Sequence, residues 1–145
     1  MLIFPKKGLP KLATSKAISF SKFGQPNDVV SLVDQEVPDT LKNGEIMVKT
    51  LYSPINPSDY LTIMGLYPSK IRKFPAIPGL ESSVEVVKSD SPNIKVGDRG
   101  IVIDPYYGKW RQMGIVNCQQ FVKVPKQLPP EITATLIVNP LTAYL

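Results

Sequence analysis

Three observations predict a mainly β fold with short helices. Fifteen prolines stand against nine glycines in 145 residues, and proline sits poorly inside helices and central strands, so short strands joined by structured turns are favoured. Apolar alternation recurs in short runs punctuated by Gly, Pro, Asn and Asp. The apolar fraction of 43% and the charged fraction of 20% are those of a globular chain, and the length suits one domain with a real core.

Taken in order, residues 1–15 read as an irregular leader interrupted by Pro5, Gly8 and Pro10. Lys16 to Phe23 alternates Ala17, Ser19 and Ser21 with Ile18, Phe20 and Phe23, a strand pattern that the Gly24–Asp28 turn closes. Val29 to Glu36 reads as a second strand, and Asn43-Gly44 as a turn able to supply positive φ. Ile46 to Tyr52 has the composition of a buried strand.

The segment Ser53-Pro54-Ile55-Asn56-Pro57-Ser58-Asp59 predicts a short capped helix over 57–64. Asn56 is a good N-cap, Pro57 suits the first helical position, and Asp59 places negative charge in the first turn. Gly65 can take the left-handed C-terminal position and Pro68 prevents the helix from resuming. Tyr67 is thereby set on a loop braced at both ends, where functional side chains concentrate.

Beyond it, Ser82 to Lys88, Ile101 to Ile103, a segment at 110–116 and Phe121 to Val124 read as strands. Pro129-Pro130-Glu131 opens a helix whose Ile132, Leu136 and Ile137 recur at helical spacing. Asn139-Pro140 is expected to interrupt it and recap a second helix from Leu141. No apolar run approaches the roughly 20 residues needed to span a bilayer.

One cysteine and no histidine exclude several chemistries. A disulfide within the chain, a His/Cys zinc site, and a Ser-His-Asp or Cys-His pair cannot be built. Acid–base work falls to Tyr, Lys, Asp or Glu, and no metal is expected. Cys118 reads as a small apolar filler. The net charge of +5 is uneven: five lysines and no acid precede Asp28, whereas twelve acids and twelve bases follow from Asp28 onward. An acid-poor, Lys- and Ser-containing start suits either an organelle-targeting segment or a basic terminus leading into the first strand. Nucleic-acid binding is disfavoured, since no basic stripe interleaves with aromatics.

Pro-Ile-Asn-Pro-Ser-Asp (54–59), Gly-Leu-Tyr-Pro (65–68), Val-Gly-Asp (96–98), Gly-Lys-Trp-Arg (108–111) and Val-Asn-Pro-Leu-Thr-Ala-Tyr (138–144) occur in that order. Together they resemble the medium-chain dehydrogenase/reductase superfamily, and most closely its mitochondrial trans-2-enoyl-CoA and enoyl-acyl-carrier-protein reductases. The resemblance runs from about Lys16 to the C-terminus. It implies a GroES-like, partly open β-barrel catalytic domain over 16–128, with 129–145 starting the helical connection to an NADPH-binding Rossmann domain. No Gly-x-Gly-x-x-Gly occurs here, so the dinucleotide phosphate cradle is missing from these residues. A fragment of a longer enzyme is expected, inactive by itself; a catalytic-domain remnant is the other option.

The resemblance makes Tyr67 the catalytic proton donor. A phenol, with a reference pKa of about 10, is protonated at neutral pH and can donate to the α-carbon or hydrogen-bond the thioester oxygen; the plainer role is packing on the barrel. It also makes Asn139 a nicotinamide-cofactor contact, a role compatible with capping the helix at Pro140. Trp110 and Arg111 match the family's pair near the substrate cleft, though a lone tryptophan also serves as a core or rim residue. Asn56 is a further cleft candidate that helix capping already explains.

The family's Gly-Asn-Glu-Gly stands here as Gly79-Leu80-Glu81-Ser82, which removes an amide and puts serine where glycine takes positive φ cheaply. Asp104-Pro105-Tyr106-Tyr107 also departs from the family's pattern. The implied function is reduction of trans-2-enoyl thioesters of CoA or acyl carrier protein with NADPH, in mitochondrial fatty-acid synthesis, by a protein that dimerises with itself when whole. A quinone-oxidoreductase-like enzyme and a non-catalytic GroES-like binding module are the rivals, and the cytoplasm is the alternative location.

Overall fold

The computed structural model describes residues 12–68, 71 and 73–145. Most of the leader expected over 1–15 lies outside them, as do Ser69 and Lys70. Residues 12–15, however, belong to the first strand, β1 (Leu12–Phe20). Buried Ser15 explains the extension: its hydroxyl accepts from the Met113 amide at 3.1 Å.

β1 pairs antiparallel with β2 (Val30–Pro38) along its whole length, Leu12 opposite Pro38 and Phe20 opposite Val30. The Gly24–Asp28 turn between them ends in a helical turn, α1 (Pro26–Val29), with proline at its start. The second sheet contains β3 (Glu45–Tyr52), β4 (Ser83–Ser89), β5 (Arg99–Val102), β6 (Met113–Asn117) and β7 (Phe121–Lys123). Its antiparallel order is β6-β3-β4-β5-β7. A single 3₁₀ turn, Cys118–Gln120, joins the last two strands in sequence.

The two sheets are stitched where they meet. Ile18 N donates to Trp110 O at 2.8 Å, Gln112 N to Lys16 O at 2.8 Å, and Phe20 exchanges bonds of 2.9 Å with Ala76. Residues 110–112 thus serve β1, and β6 starts only at Met113. The core lies on the inner face of the five-stranded sheet, where Ile46, Val48, Val84, Val86, Val102, Val116 and Phe121 close on the Tyr107 ring. Cys118 packs half-buried at its edge, as an apolar filler would.

Helix α2 (Pro57–Ile63) forms where the caps predict. The tail differs from expectation. α3 stops after Pro130–Thr133, and α4 (Val138–Tyr144) begins before Pro140. The Ile137 and Val138 amides, which a continuous helix would use, donate instead to the Glu81 carboxylate. Ile137 holds the N-cap position of α4, so Asn139 does not cap it, and Pro140 falls in the first turn, where a missing N–H leaves no bond unmade. No helix among the described residues is long and apolar enough to cross a membrane.

Candidate active site

The site is built outward from α2. Asn56 is extended at its N-cap (φ −99°, ψ 154°), and Asp59 Oδ2 accepts from the Asn56 amide at 2.8 Å. Asp59 is fully buried and uses its other oxygen on the Leu80 amide at 3.0 Å, tying the helix to the loop across the cleft. Burial pushes its carboxyl above the usual carboxylate range, against the two amide bonds that favour the charged form.

At the other end Gly65 takes φ +74°, as its position after the helix requires. The Leu66 and Tyr67 amides then both donate to Leu61 O, at 2.8 and 3.2 Å. Those bonds fix the backbone that carries the tyrosine. Its side chain, 42% exposed, stands on the wall of a cavity of about 1100 Å³. Thr62, Leu80, Lys109, Arg111 and Leu141 are among the other lining residues, and the wall is mostly apolar.

The cavity has one strongly polar stretch. Lys109 is only 3% exposed, and its ammonium donates to Asp104 O at 2.5 Å. Burial pulls its pKa down to about 8, with Asp104 opposing the shift. Arg111 donates from Nε to Gly108 O at 2.7 Å, and its guanidinium lies 4.4 Å over the Tyr107 ring. Burial pushes the Tyr107 phenol up to about 12, with Arg111 opposing. Burial also lowers the guanidinium's own pKa.

The structure brings some of the sequence-derived residues together and leaves others apart. Tyr67 and Arg111 line the same cavity. Asn139 is exposed on the first turn of α4, next to Ile137, Val138 and Leu141, which line that cavity. Trp110 lies outside it: its indole donates to Pro54 O at 3.3 Å and its ring flanks a shallow depression with Lys16 and Leu32. Asn56 is buried, its side-chain amide donating to Glu81 Oε1 at 3.0 Å.

The departures at 79–82 fit the backbone, although the buried Ser82 hydroxyl has no hydrogen-bond partner among the described residues. No described residue other than glycine has positive φ, so Ser82, fully buried, needs none, and Leu80 contributes apolar wall to the cavity. Sequence reasoning passed over Lys109 and Glu81. A lysine in an exposed-looking turn and a glutamate before two serines carry no local sign of burial, since partners from distant segments create it.

Residues 42–128 match the alcohol dehydrogenase GroES-like domain. The chain belongs to that family, within the medium-chain dehydrogenase/reductase superfamily. Among its relatives is the mitochondrial enoyl-[acyl-carrier-protein] reductase 2 of Candida tropicalis, 38% identical over 92% of this chain and 40% of that protein. The solved complex of the reductase Etr1p with NADP and crotonyl-CoA superposes with a TM-score of 0.84 at 34% identity, over 92% of this chain and 43% of that one. A putative NADPH:quinone reductase from Bacillus thuringiensis superposes at 0.80 with 31% identity, over 91% and 40%. The chain thus spans about two fifths of the length of these relatives. What it shares with them is the GroES-like domain, mainly β with short helices.

Proposed function

We propose that this chain is the substrate-side domain of an NADPH-dependent reductase of trans-2-enoyl thioesters, acting in mitochondrial fatty-acid synthesis, with Tyr67 as proton donor. The observation that carries the proposal is the position of Tyr67: its backbone is pinned to α2, and the residue lines a large, mostly apolar cavity. An acyl chain suits such a wall, and a phenol at its edge suits delivery of one proton.

When bound, NADPH would supply a hydride for the β-carbon of the enoyl thioester. Tyr67 hydrogen-bonds the thioester oxygen as negative charge develops there, then gives its proton to the α-carbon. Solvent reprotonates the phenolate, since the side chain is 42% exposed. Asn139, exposed on the first turn of α4 between the cavity-lining Val138 and Leu141, contacts the nicotinamide end of the cofactor in this reading. The 145 residues contain no glycine-rich phosphate turn, so the rest of the dinucleotide needs residues beyond these. Arg111 faces the same cavity and suits the polar part of the substrate, either CoA or the carrier protein's prosthetic arm.

A second reading, reduction of a small quinone, is favoured by the likeness to the Bacillus thuringiensis protein. A chimaera separates the two. Residues 16–145 replace the matching segment of the Candida tropicalis reductase, and NADPH oxidation is followed with crotonyl-CoA and with a soluble quinone. Turnover of crotonyl-CoA, with kcat lowered about 10²–10⁴-fold in Tyr67→Phe, is expected. Turnover of the quinone alone, or crotonyl-CoA turnover unchanged in the variant, would sink the proton-donor assignment.

A further inference from the structure

Glu81 is fully buried, and its carbonyl and both carboxylate oxygens are engaged. Oε1 accepts from Asn56 Nδ2 at 3.0 Å, at the cap of α2. Oε2 accepts from the amides of Ile137 and Val138, at 3.0 and 2.9 Å, where α4 starts. Its carbonyl accepts from Ser53 Oγ at 2.7 Å, on the strand side of that cap. A helix begins with N–H groups that have no partner inside it, and the N-cap of α4 is Ile137, whose side chain cannot accept. A carboxylate 56 residues earlier in the chain takes that role, and its charge suits the positive end of the helix.

We propose that Glu81 is a positioning residue: it holds α4, and Asn139 with it, in place against the helix that delivers Tyr67. The inference rests on the reading of Asn139 as a cofactor contact. One rigid carboxylate has one oxygen on each half of the site. Moving α4 relative to α2 therefore breaks at least one hydrogen bond to a buried charge, an expensive loss away from solvent. Asp59, buried beside it and bonded to Asn56 and Leu80, braces the α2 half independently. Glutamine at 81 keeps the shape but has one acceptor oxygen in place of two and no charge, so its hold on the Ile137 and Val138 amides is weaker whichever way the amide turns.

Hydrogen exchange on the 145-residue chain tests the contact. Glu81→Gln should lower protection of the Ile137 and Val138 amides about tenfold or more and leave those of Val84 and Val86 unchanged. If Glu81→Gln does not fold, Glu81→Asp retains the charge on a side chain one methylene shorter and should show the same local loss. Unaltered protection at both amides in a folded variant overturns the proposal.

Kinetics of the chimaera test the consequence. Glu81→Gln should raise the KM for NADPH about tenfold with a smaller fall in kcat, and Asn139→Ala should do likewise. The double variant should be no worse than Asn139→Ala alone; additive losses would show that Glu81 does not act through Asn139. A chimaera inactive toward crotonyl-CoA would overturn the reductase reading instead, and the exchange result would still decide the contact.

Discussion

Gly79 faces the indole of Trp110 so closely that a Cβ built on it would lie 2.5 Å from Cδ1 of the ring. Its φ of +98° lies in the region that side chains avoid. Backbone bonds beside this pair join the same two segments, Trp110 N donating to Pro78 O at 3.0 Å and Lys109 N to Gly79 O at 3.1 Å. The 79–82 loop and the 108–111 segment therefore form one unit on which the cavity wall is built.

Gly79→Ala should destabilise the fold by about 2–4 kcal/mol, because strain and overlap act together. Urea unfolding followed by the fluorescence of Trp110, the sole tryptophan, gives the midpoint. A midpoint within error of the parent would show that the loop relaxes freely.

Lys109 is held as a cation in a buried place, and burial lowers its pKa to about 8. In the unfolded chain it titrates near 10.5, so between about pH 8 and 10.5 the unfolded state binds more protons and stability rises with pH. Lys109→Met, which removes the charge, should stabilise the protein at pH 7 by about 1–3 kcal/mol. That advantage should shrink as pH rises through this window. A constant difference across the window, read from melts at each pH, would contradict the buried-cation account.

Asp98 sits at the opposite electrostatic extreme. Its Oδ1 lies 2.8 Å from Lys123 Nζ and its Oδ2 accepts from the Lys95 amide at 2.9 Å. These bonds, led by the one from Lys123, hold its carboxyl below the usual carboxylate range. Its stabilisation is present above the unfolded-state pKa and is lost as pH falls through the lower folded-state pKa. Asp98→Asn should cost about 1–2 kcal/mol at pH 7 and nothing once the carboxyl is protonated. Denaturant midpoints for both proteins at neutral and strongly acid pH make the check.

Ile46, on β3, is fully buried in the core that lines the five-stranded sheet. Ile46→Val removes one methylene there and should cost about 0.5–1.5 kcal/mol. The denaturant slope should stay unchanged, since the surface exposed on unfolding is nearly the same.

How much of this was legible varied with the range of the interactions. β3, β4 and α2 could be read from composition and caps because their decisive signals lie within a few residues. The helix expected from Pro129 onward was broken where Glu81 takes the Ile137 and Val138 amides, and no local pattern announces a partner 56 residues away. Asn139 was expected to cap that break, and the cap fell instead at Ile137, for the same reason.

By itself the sequence determined the Asn56–Gly65 helix, the bend after it and the loop that presents Tyr67. Proline, glycine and a first-turn aspartate act through their own backbone there, whatever surrounds them. Only the tertiary structure decided the strand order, the burial of Lys109 and the service of one Glu81 carboxylate to both α2 and α4. Those depend on desolvation and on hydrogen bonds between distant segments, which exist only once the chain has closed on itself.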